Sequence, residues 1–529
     1  MPADEVDAGA RAPVPPPAGR SLPARALAVV ALAFVAIGLG LYGPSLEGPF
    51  LSDDLLYLEG NPNLRLPFTA ALERMLDPYF ANWTPVHHLL LLVEWRLFGA
   101  WTAPYHVVNV VLHAAAATAL AAAAARAGLS RGAALAAGVL LLVHPAASEA
   151  VVWISQSKTL LCVSFGLLAL ERWIAHLQAP SRGRHVAVLA AGLLALLAKP
   201  AALPLPLILL GTAFCLRANL RRAAADLLPL LLGAPLAFLL NLYAQAIGGG
   251  VAPWFGGSAL ATAQILPWVV WRYLRLAVLP VGLAHGVHPA PITGWSDPAL
   301  LGPLLALAAA AASVTILCLR RRERAIGPLW FVAMLAPVAQ VVPMAVVYAD
   351  RYLYAALPGA IWLLVQLGDE WAHARGPRAA RALAVTTAAA ALALAAGTVT
   401  RARIWADPEA LYRESARAFP LGRFAWTGVG SVLDRRGDLA GAAAAYRHSL
   451  HAYPDDPQVR YLLGDVRLRQ GDAARALYGF EEALRLAPES FASERSFIEG
   501  RVRGLRARGV RPVPDPPEAP PPSGPREGQ

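Results

Sequence analysis

Residues 26–57, ALAVVALAFVAIGLGLYGPSLEGPFLSDDLLY, decide the fold. From Ala26 to about Pro44 the run is apolar and uncharged, and about 20 such residues in a helix cross a bilayer. The run is long for the apolar region of a secretory signal, and no small-residue cleavage site follows it. It reads as a first transmembrane helix. Two adjacent carboxylates, Asp53 and Asp54, come directly after it, at the membrane–water boundary. Further apolar runs start near residues 104, 132, 157, 186, 202, 224, 298, 326, 352 and 380, which makes about eleven spans by a length of about 17–25 residues. The stretch 260–281 is long enough to span, but Trp268, Trp271, Arg272 and Arg275 mark it as an interfacial or partly re-entrant helix.

Composition agrees with this reading. Of 529 residues, 57% are hydrophobic and only 15% charged, against about 25% charged in soluble domains. Forty-five prolines and 43 glycines without a period exclude a collagen-like chain. Cys162, Cys215 and Cys318 all lie in apolar runs without metal-ligand spacing, which excludes a disulfide scaffold or a zinc site. The net charge of +11 comes from clusters between apolar runs, Arg217-Arg221-Arg222, Arg320-Arg321-Arg322-Arg324 and Arg375-Arg378-Arg381. Such clusters mark cytoplasmic loops, and without interleaved aromatics they do not form a nucleic-acid footprint. The expected topology has the N-terminus inside, an odd number of helices, and the loops 45–103 and 247–297 outside with the C-terminal region.

Beyond residue 400 the composition turns polar and a 34-residue period appears. Gly430 pairs with Gly464, Gly437-Asp438 with Gly471-Asp472, Tyr446 with Phe480, Leu450 with Leu484, and Pro454 with Pro488; Tyr412 and Pro420 continue it one step back. This spacing resembles tetratricopeptide repeats, in which small residues let paired helices approach closely. The expected organisation is a disordered cytoplasmic tail over 1–24, a transmembrane domain over 25–400, about two and a half repeats with a capping helix over 401–505, and a Pro-rich disordered tail over 506–529. Too few repeats to stand alone, they are expected to pack on the membrane domain.

Polar residues are scarce enough in the apolar part to be candidates for chemistry. Asp53 and Asp54 suit a general base or a divalent-cation ligand, or a solvated loop with a helix cap. His106, Asn109 and His113 share one helical face; ionisable groups in spans face a cavity or a partner helix, so the face is either a pocket wall or a packed polar seam. His144, Glu149 and Trp153 lead up to Lys158, and Lys199 follows a short helix. Lys158 and Lys199 are the only lysines among 46 basic residues, and a compact ammonium suits a phosphate as a point charge. In Tyr348-Ala349-Asp350-Arg351-Tyr352-Leu353-Tyr354, Asp350 and Arg351 either pair or leave Arg351 free for a phosphate oxygen, and the tyrosines either stack on a sugar or form an interfacial aromatic belt.

In order, Asp53-Asp54, Trp83-x-Pro85 with Leu97-Phe98-Gly99, His106-x-x-Asn109-x-x-x-His113, His144-Pro145-x-x-x-Glu149-x-x-x-Trp153 with Lys158, Lys199-Pro200, and Ala349-Asp350-Arg351-Tyr352-x-Tyr354 form a set. Followed by the repeats, the set resembles the membrane proteins with C-terminal tetratricopeptide repeats whose eukaryotic members are endoplasmic-reticulum protein O-mannosyltransferases. That family is similar to the GT-C glycosyltransferase superfold. The resemblance implies an all-α polytopic bundle followed by an α-solenoid. It also implies a sugar donor on a polyprenyl phosphate and a catalytic role for Asp53 and Asp54. Thr84 between Trp83 and Pro85, Leu51-Ser52 before the acidic pair, and Pro200 after Lys199 depart from the family's pattern.

The expected activity is therefore transfer of mannose or another hexose, at the outer face of a bacterial inner membrane, to a protein or glycan hydroxyl presented by periplasmic repeats. Lys158, Lys199 and Arg351 are expected at the donor phosphate. His106, Asn109, His113, His144, Glu149, Trp153, Asp350 and Tyr352 are expected around the pocket. The rival reading is a non-enzymatic membrane-anchored scaffold, in which these polar residues are dispensable.

Overall fold

The computed structural model describes residues 22–516, apart from 249, 251, 287, 288, 290, 291, 293, 296, 345, 421 and 487–491. The expected tails over 1–21 and 517–529, and Pro488 of the repeat, lie outside the described residues. Among the described residues all regular structure is helical, apart from a single isolated bridge between Tyr79 and Asn82. The apolar part comprises α1 (Ala24–Tyr42), α2 (Phe68–Arg74), α3 (Pro85–Phe98), α4 (Ala103–Arg126), α5 (Arg131–Leu142), α6 (Ser148–Val152), α7 (Ser157–Gln178), α8 (Arg182–Ala198), α9 (Leu205–Cys215), α10 (Leu220–Asp226), α11 (Leu228–Ile247), α12 (Ala259–Val278), α13 (Pro298–Arg320), α14 (Ile326–Leu335), α15 (Asp350–Arg375) and α16 (Pro377–Ala406).

Every expected apolar run falls in one of these helices, but they differ in length. Among the described residues six spans, Ala24–Ser45, Ala103–Arg126, Ile154–Gln178, Leu228–Ile247, Pro298–Arg320 and Pro377–Ala406, are long and apolar enough to cross a membrane. A seventh is possible if α5 and the following Pro145–Val152, bent by 51°, count as one. The chain is a multi-pass membrane protein. With 11 residues in α9 and 10 in α14, each rises only about 15–17 Å at 1.5 Å per residue, roughly half the hydrocarbon thickness.

Two layers of helix ends follow from the polar contacts. In one layer the Arg126 and Glu171 side chains pair, the Ser130 N–H donates to Asp369 at 2.9 Å, Arg324 pairs with Glu370, and His176 meets Asp226 at 3.2 Å. The arginine clusters lie at these ends. The opposite layer holds the loop after α1, the starts of α4, α7 and α15, and the end of α8. Helix α12 begins and ends in this second layer. The segment before it lies against Ala81 and bonds Pro343 O from Ala252 N at 3.1 Å, and near its end the Tyr273 hydroxyl donates to Ala349 O at 3.2 Å.

Small residues set the packing. Ala114, Ala116, Ala117, Ala121 and Ala123–Ala125 of α4 are all buried, which lets α4 lie close to α1, α5 and α7. The closest approach joins α14 and α15: a Cβ on Gly327 would lie 2.6 Å from Gly359 O.

The C-terminal part is α17 (Pro408–Ala418), α18 (Arg423–Arg435), α19 (Leu439–Ala452), α20 (Pro457–Arg469), α21 (Ala473–Leu486) and α22 (Ala492–Ala507). The 34-residue spacing has direct structural causes. Gly437 and Gly471 sit at φ of 83° and 86° in the turns between paired helices, a conformation natural to glycine. Asp438 and Asp472 then cap the next helix, accepting from Gly441 N at 2.8 Å and Arg475 N at 3.1 Å. Gly430 makes room for the Tyr446 ring and Gly464 for Phe480. Residues 507–516, expected as the start of a disordered tail, instead lie along the repeats: Val513 N donates to Ala474 O at 3.1 Å and Asp515 pairs with Arg467. The apolar Val510 there packs against the cluster of Phe480 and Ile498, a contact that composition alone does not show.

Candidate functional site

The loop after α1 folds back under the control of Asp54. Its Oδ2 accepts from Leu51 N at 3.0 Å and its Oδ1 from Ser155 N at 2.7 Å, across 101 positions. Both oxygens are taken and the side chain is 1% exposed. Burial outweighs the two N–H donors and, with a smaller push from Asp53, raises the Asp54 carboxyl to about 7. Asp53 differs. It is half-buried, and the Ser52 hydroxyl makes a long 3.4 Å contact to its Oδ1. Its charge acts on Tyr57, Lys158, Arg351 and Tyr352.

Next along, residues Leu55–Glu59 form a π-type turn that buries Tyr57 completely. The Tyr57 hydroxyl accepts from Asn82 Nδ2 at 3.1 Å and from Lys158 Nζ at 3.4 Å, with that ammonium 4.6 Å from the ring centroid. Lys158 stands in the first turn of α7. Lys199 follows the last residue of α8 in extended conformation, φ −161° and ψ 142°, the geometry a following proline imposes. It reaches Thr159 Oγ1 at 2.6 Å. Residues 158 and 159 therefore bring the two lysines together. Among the described residues neither lysine forms a salt bridge. Lys158 is buried and Lys199 part-buried, and each ammonium is met by a hydroxyl, that of Tyr57 or of Thr159.

Arg351 is held otherwise. Its Nη1 meets Glu149 Oε1 at 2.7 Å and its backbone N–H donates to Glu149 Oε2 at 2.9 Å. His285 Nδ1 is 3.2 Å from the same Oε1. The guanidinium lies 5.0 Å from the ring centroids of both Trp153 and Tyr352. Asp350 does not pair with Arg351; it accepts from the Tyr348 hydroxyl and from Ala284 N at 2.9 Å. The expected Asp350–Arg351 pair is thus replaced by one in which Glu149, 202 positions away, partners Arg351.

The remaining expected pocket residues bond inside the bundle. His106 contacts Gly48 O at 3.2 Å, Asn109 donates to Val151 O at 3.1 Å and Trp153 O at 3.3 Å, and His113 lies between Tyr354 OH at 2.9 Å and Leu142 O at 3.2 Å. His144 accepts from Ala146 N at 3.2 Å and faces Ala277 O at 3.3 Å. These side chains form the packed polar seam rather than a pocket wall. Among them Asn109 fixes the backbone that carries Trp153 and Ile154, and through it the Ser155 N–H on Asp54.

Several groups at the site were not singled out by sequence: Tyr57, His87, His285 and Trp405. Tyr57 stands three residues after Asp54, and the His87-His88 doublet was visible in an amphipathic stretch. Their burial comes from contacts that no local pattern shows.

The repeats stand over this cluster. The Tyr412 ring lies 5.6 Å from His285, Trp405 lies 5.2 Å from His285 and 6.3 Å from Trp153, and Arg401 pairs with Glu414 at 2.5 Å. Residues 405–457 and 430–491 match the tetratricopeptide repeat family. The C-terminal segment is a tetratricopeptide-repeat array. Among solved structures, ArnT from Cupriavidus metallidurans bound to undecaprenyl phosphate is similar over 85% of this chain and 79% of that chain, at 14% identity and a TM-score of 0.37. No curated protein matches the chain.

Proposed function

We propose that the chain is an integral-membrane glycosyltransferase. It moves a sugar, mannose or another hexose, from a polyprenyl-phosphate carrier to a hydroxyl of a protein or envelope glycan. The observation that supports this reading is the half-exposed Asp53 carboxylate within electrostatic reach of Lys158, which stands beside Lys199 through Thr159, in the layer opposite the arginine clusters. Asp53 takes the proton of the acceptor hydroxyl as that oxygen bonds to the sugar's anomeric carbon from the face opposite the carrier. The bond from anomeric carbon to carrier oxygen breaks, its electron pair leaves with the phosphate, and the configuration inverts. Lys158 and Lys199 neutralise the charge that develops there. Asp54, with both oxygens bonded to backbone, positions Asp53. Arg351, tied to Glu149 and flanked by Trp153 and Tyr352, lines the sugar side.

A divalent cation on the acidic pair fits poorly. Both Asp54 oxygens already accept a backbone N–H, and no group of three or more His, Cys, Asp or Glu able to hold a metal occurs among the described residues. The lipid-linked donor suits the architecture: its tail stays in the bilayer while its headgroup reaches the layer that holds Asp53. With the arginine-rich ends cytoplasmic, that layer and the repeats face the periplasm of an inner membrane, and the repeats present the acceptor.

The experiment is transfer from a polyprenyl-phosphate sugar by the full chain in nanodiscs. Asp53→Asn keeps the shape and removes the base, and is expected to lower the rate by about 10²–10⁴-fold. A variant that transfers at the wild-type rate sinks the assignment and leaves the scaffold reading.

A further inference from the structure

The mechanism leaves one buried group at this site unused. His87 is 0% exposed, and neither of its ring nitrogens has a hydrogen-bond partner. A buried unpaired imidazole is costly, because each unmade bond forfeits the desolvation of that nitrogen. Its neighbourhood is specific. Helix α3 packs on α7, α8 and the Leu55–Glu59 turn, the elements that carry Lys158, Lys199 and Tyr57. The His87 ring meets the Tyr57 ring edge-on at 5.3 Å, and Lys158 lies over that same ring.

His87 also stands in the first turn of α3, a 14-residue helix whose N-cap residue, Thr84, makes no capping bond. The Thr84 hydroxyl is instead 3.2 Å from His88 Nε2. The helix start is anchored from outside, since Trp83 N donates to Asn241 Oδ1 of α11 at 3.2 Å. An uncapped helix N-terminus carries orphan N–H groups and a positive dipole end, both suited to an anion. The weak 3.4 Å contact of Lys158 with the Tyr57 hydroxyl is one that an anionic oxygen can replace with gain.

We infer that His87 is a third ligand of the phosphate, completing with Lys158 and Lys199 an anion site at the N-terminus of α3. Its neutral imidazole donates a hydrogen bond to a non-bridging phosphate oxygen. The inference rests on the donor reading above and adds to it the group that distinguishes a phosphate from a bare charge. The recognised chemistry is a phosphate ester, and it points to a lipid headgroup because the site lies at the ends of helices long and apolar enough to cross a membrane, beside which a lipid tail can stay in the bilayer.

Binding of a long-chain polyprenyl phosphate, the matching polyprenol and inorganic phosphate to the full chain in nanodiscs separates the possibilities. The wild type is expected to prefer the lipid phosphate over the polyprenol. His87→Phe is expected to weaken lipid phosphate about tenfold or more, while polyprenol binding stays unchanged; a general folding defect would lower both. His87→Gln, whose amide reaches the same oxygen, restores the preference. A Phe variant as selective as wild type, or a Gln variant as weak as the Phe variant, overturns the role of His87. The double variant Lys158→Ala/Lys199→Ala tests the parent reading by itself. If it binds lipid phosphate normally, the donor assignment falls whatever His87 does. If inorganic phosphate binds with the same His87 dependence and the lipid does not, the anion site stands and the lipid donor is overturned.

Discussion

Two neighbouring aspartates with the same side chain have opposite physical lives here. Asp54 gives both oxygens to backbone N–H groups and is buried, whereas Asp53 is half-exposed and acts on the cations around it. The difference gives Asp54 a pH signature. Folded, its carboxyl holds a proton up to about 7, against 3.8 for the ordinary group. Between those values the folded chain binds more protons than the unfolded one, so this group's contribution is complete below the lower value and is lost as pH rises through the upper. The slope reaches at most about 1.4 kcal/mol per pH unit. Thermal unfolding of the wild type should therefore fall across that window relative to Asp54→Asn, which lacks the proton; parallel curves for the two chains would refute a neutral Asp54. Sequence shows the pair and its position but not this division of labour, because the deciding donor, Ser155 N–H, lies 101 residues away. The two lysines were legible from their rarity alone, whereas the Glu149 partner of Arg351 was not, since no local spacing links residues 202 apart.

At the scale of elements, glycine positions carry more of the fold than the apolar runs suggest. Gly359 of α15 and Gly327 of α14 face each other backbone to backbone, and a Cβ on Gly359 would lie 2.6 Å from Phe331 N and overlap Gly327 O. Neither helix can yield by rotating a side chain, so Gly359→Ala must part the helices. It is expected to cost about 1–3 kcal/mol, read as a lower unfolding temperature in detergent. Gly40→Ala in α1 is the control. Nothing lies within 4 Å of its Cβ, and alanine favours a helix over glycine, so the variant should unfold no earlier than wild type. Equal loss in both variants would refute a packing cause. These contacts were illegible because hydropathy sees runs, not which faces meet. It likewise marked α9 and α14 as runs but not as helices of 11 and 10 residues. The repeats were legible in detail, since Gly437, Gly471, Asp438 and Asp472 act through local turn and cap geometry that a 34-residue period preserves.

For the whole molecule, the question is what the repeats do to the site they stand over. A continuous chain of contacts joins them: Tyr412 of α17 meets His285, His285 meets Glu149, and Glu149 holds Arg351 beside Trp153. His285 is the hinge piece, with Trp153, Trp405 and Tyr412 rings at 5.3, 5.2 and 5.6 Å and one bond to a carboxylate. Its two roles separate by substitution. His285→Phe keeps the ring contacts and removes the bond to Glu149, while His285→Ala removes both. The pair with Tyr412, the one that reaches the repeats, contributes about 0.5–1.5 kcal/mol, so losing it should loosen the repeats enough to expose the arginines of 401–417 to trypsin. His285→Ala is therefore expected to be cut there about tenfold faster than wild type, and His285→Phe at nearly the wild-type rate. Transfer should follow a different order. If the Glu149 bond holds Arg351 for the sugar, both variants slow transfer, the Phe variant without any change in digestion. A Phe variant that transfers normally would restrict His285 to docking, and an Ala variant digested like wild type would break the contact chain from repeats to site.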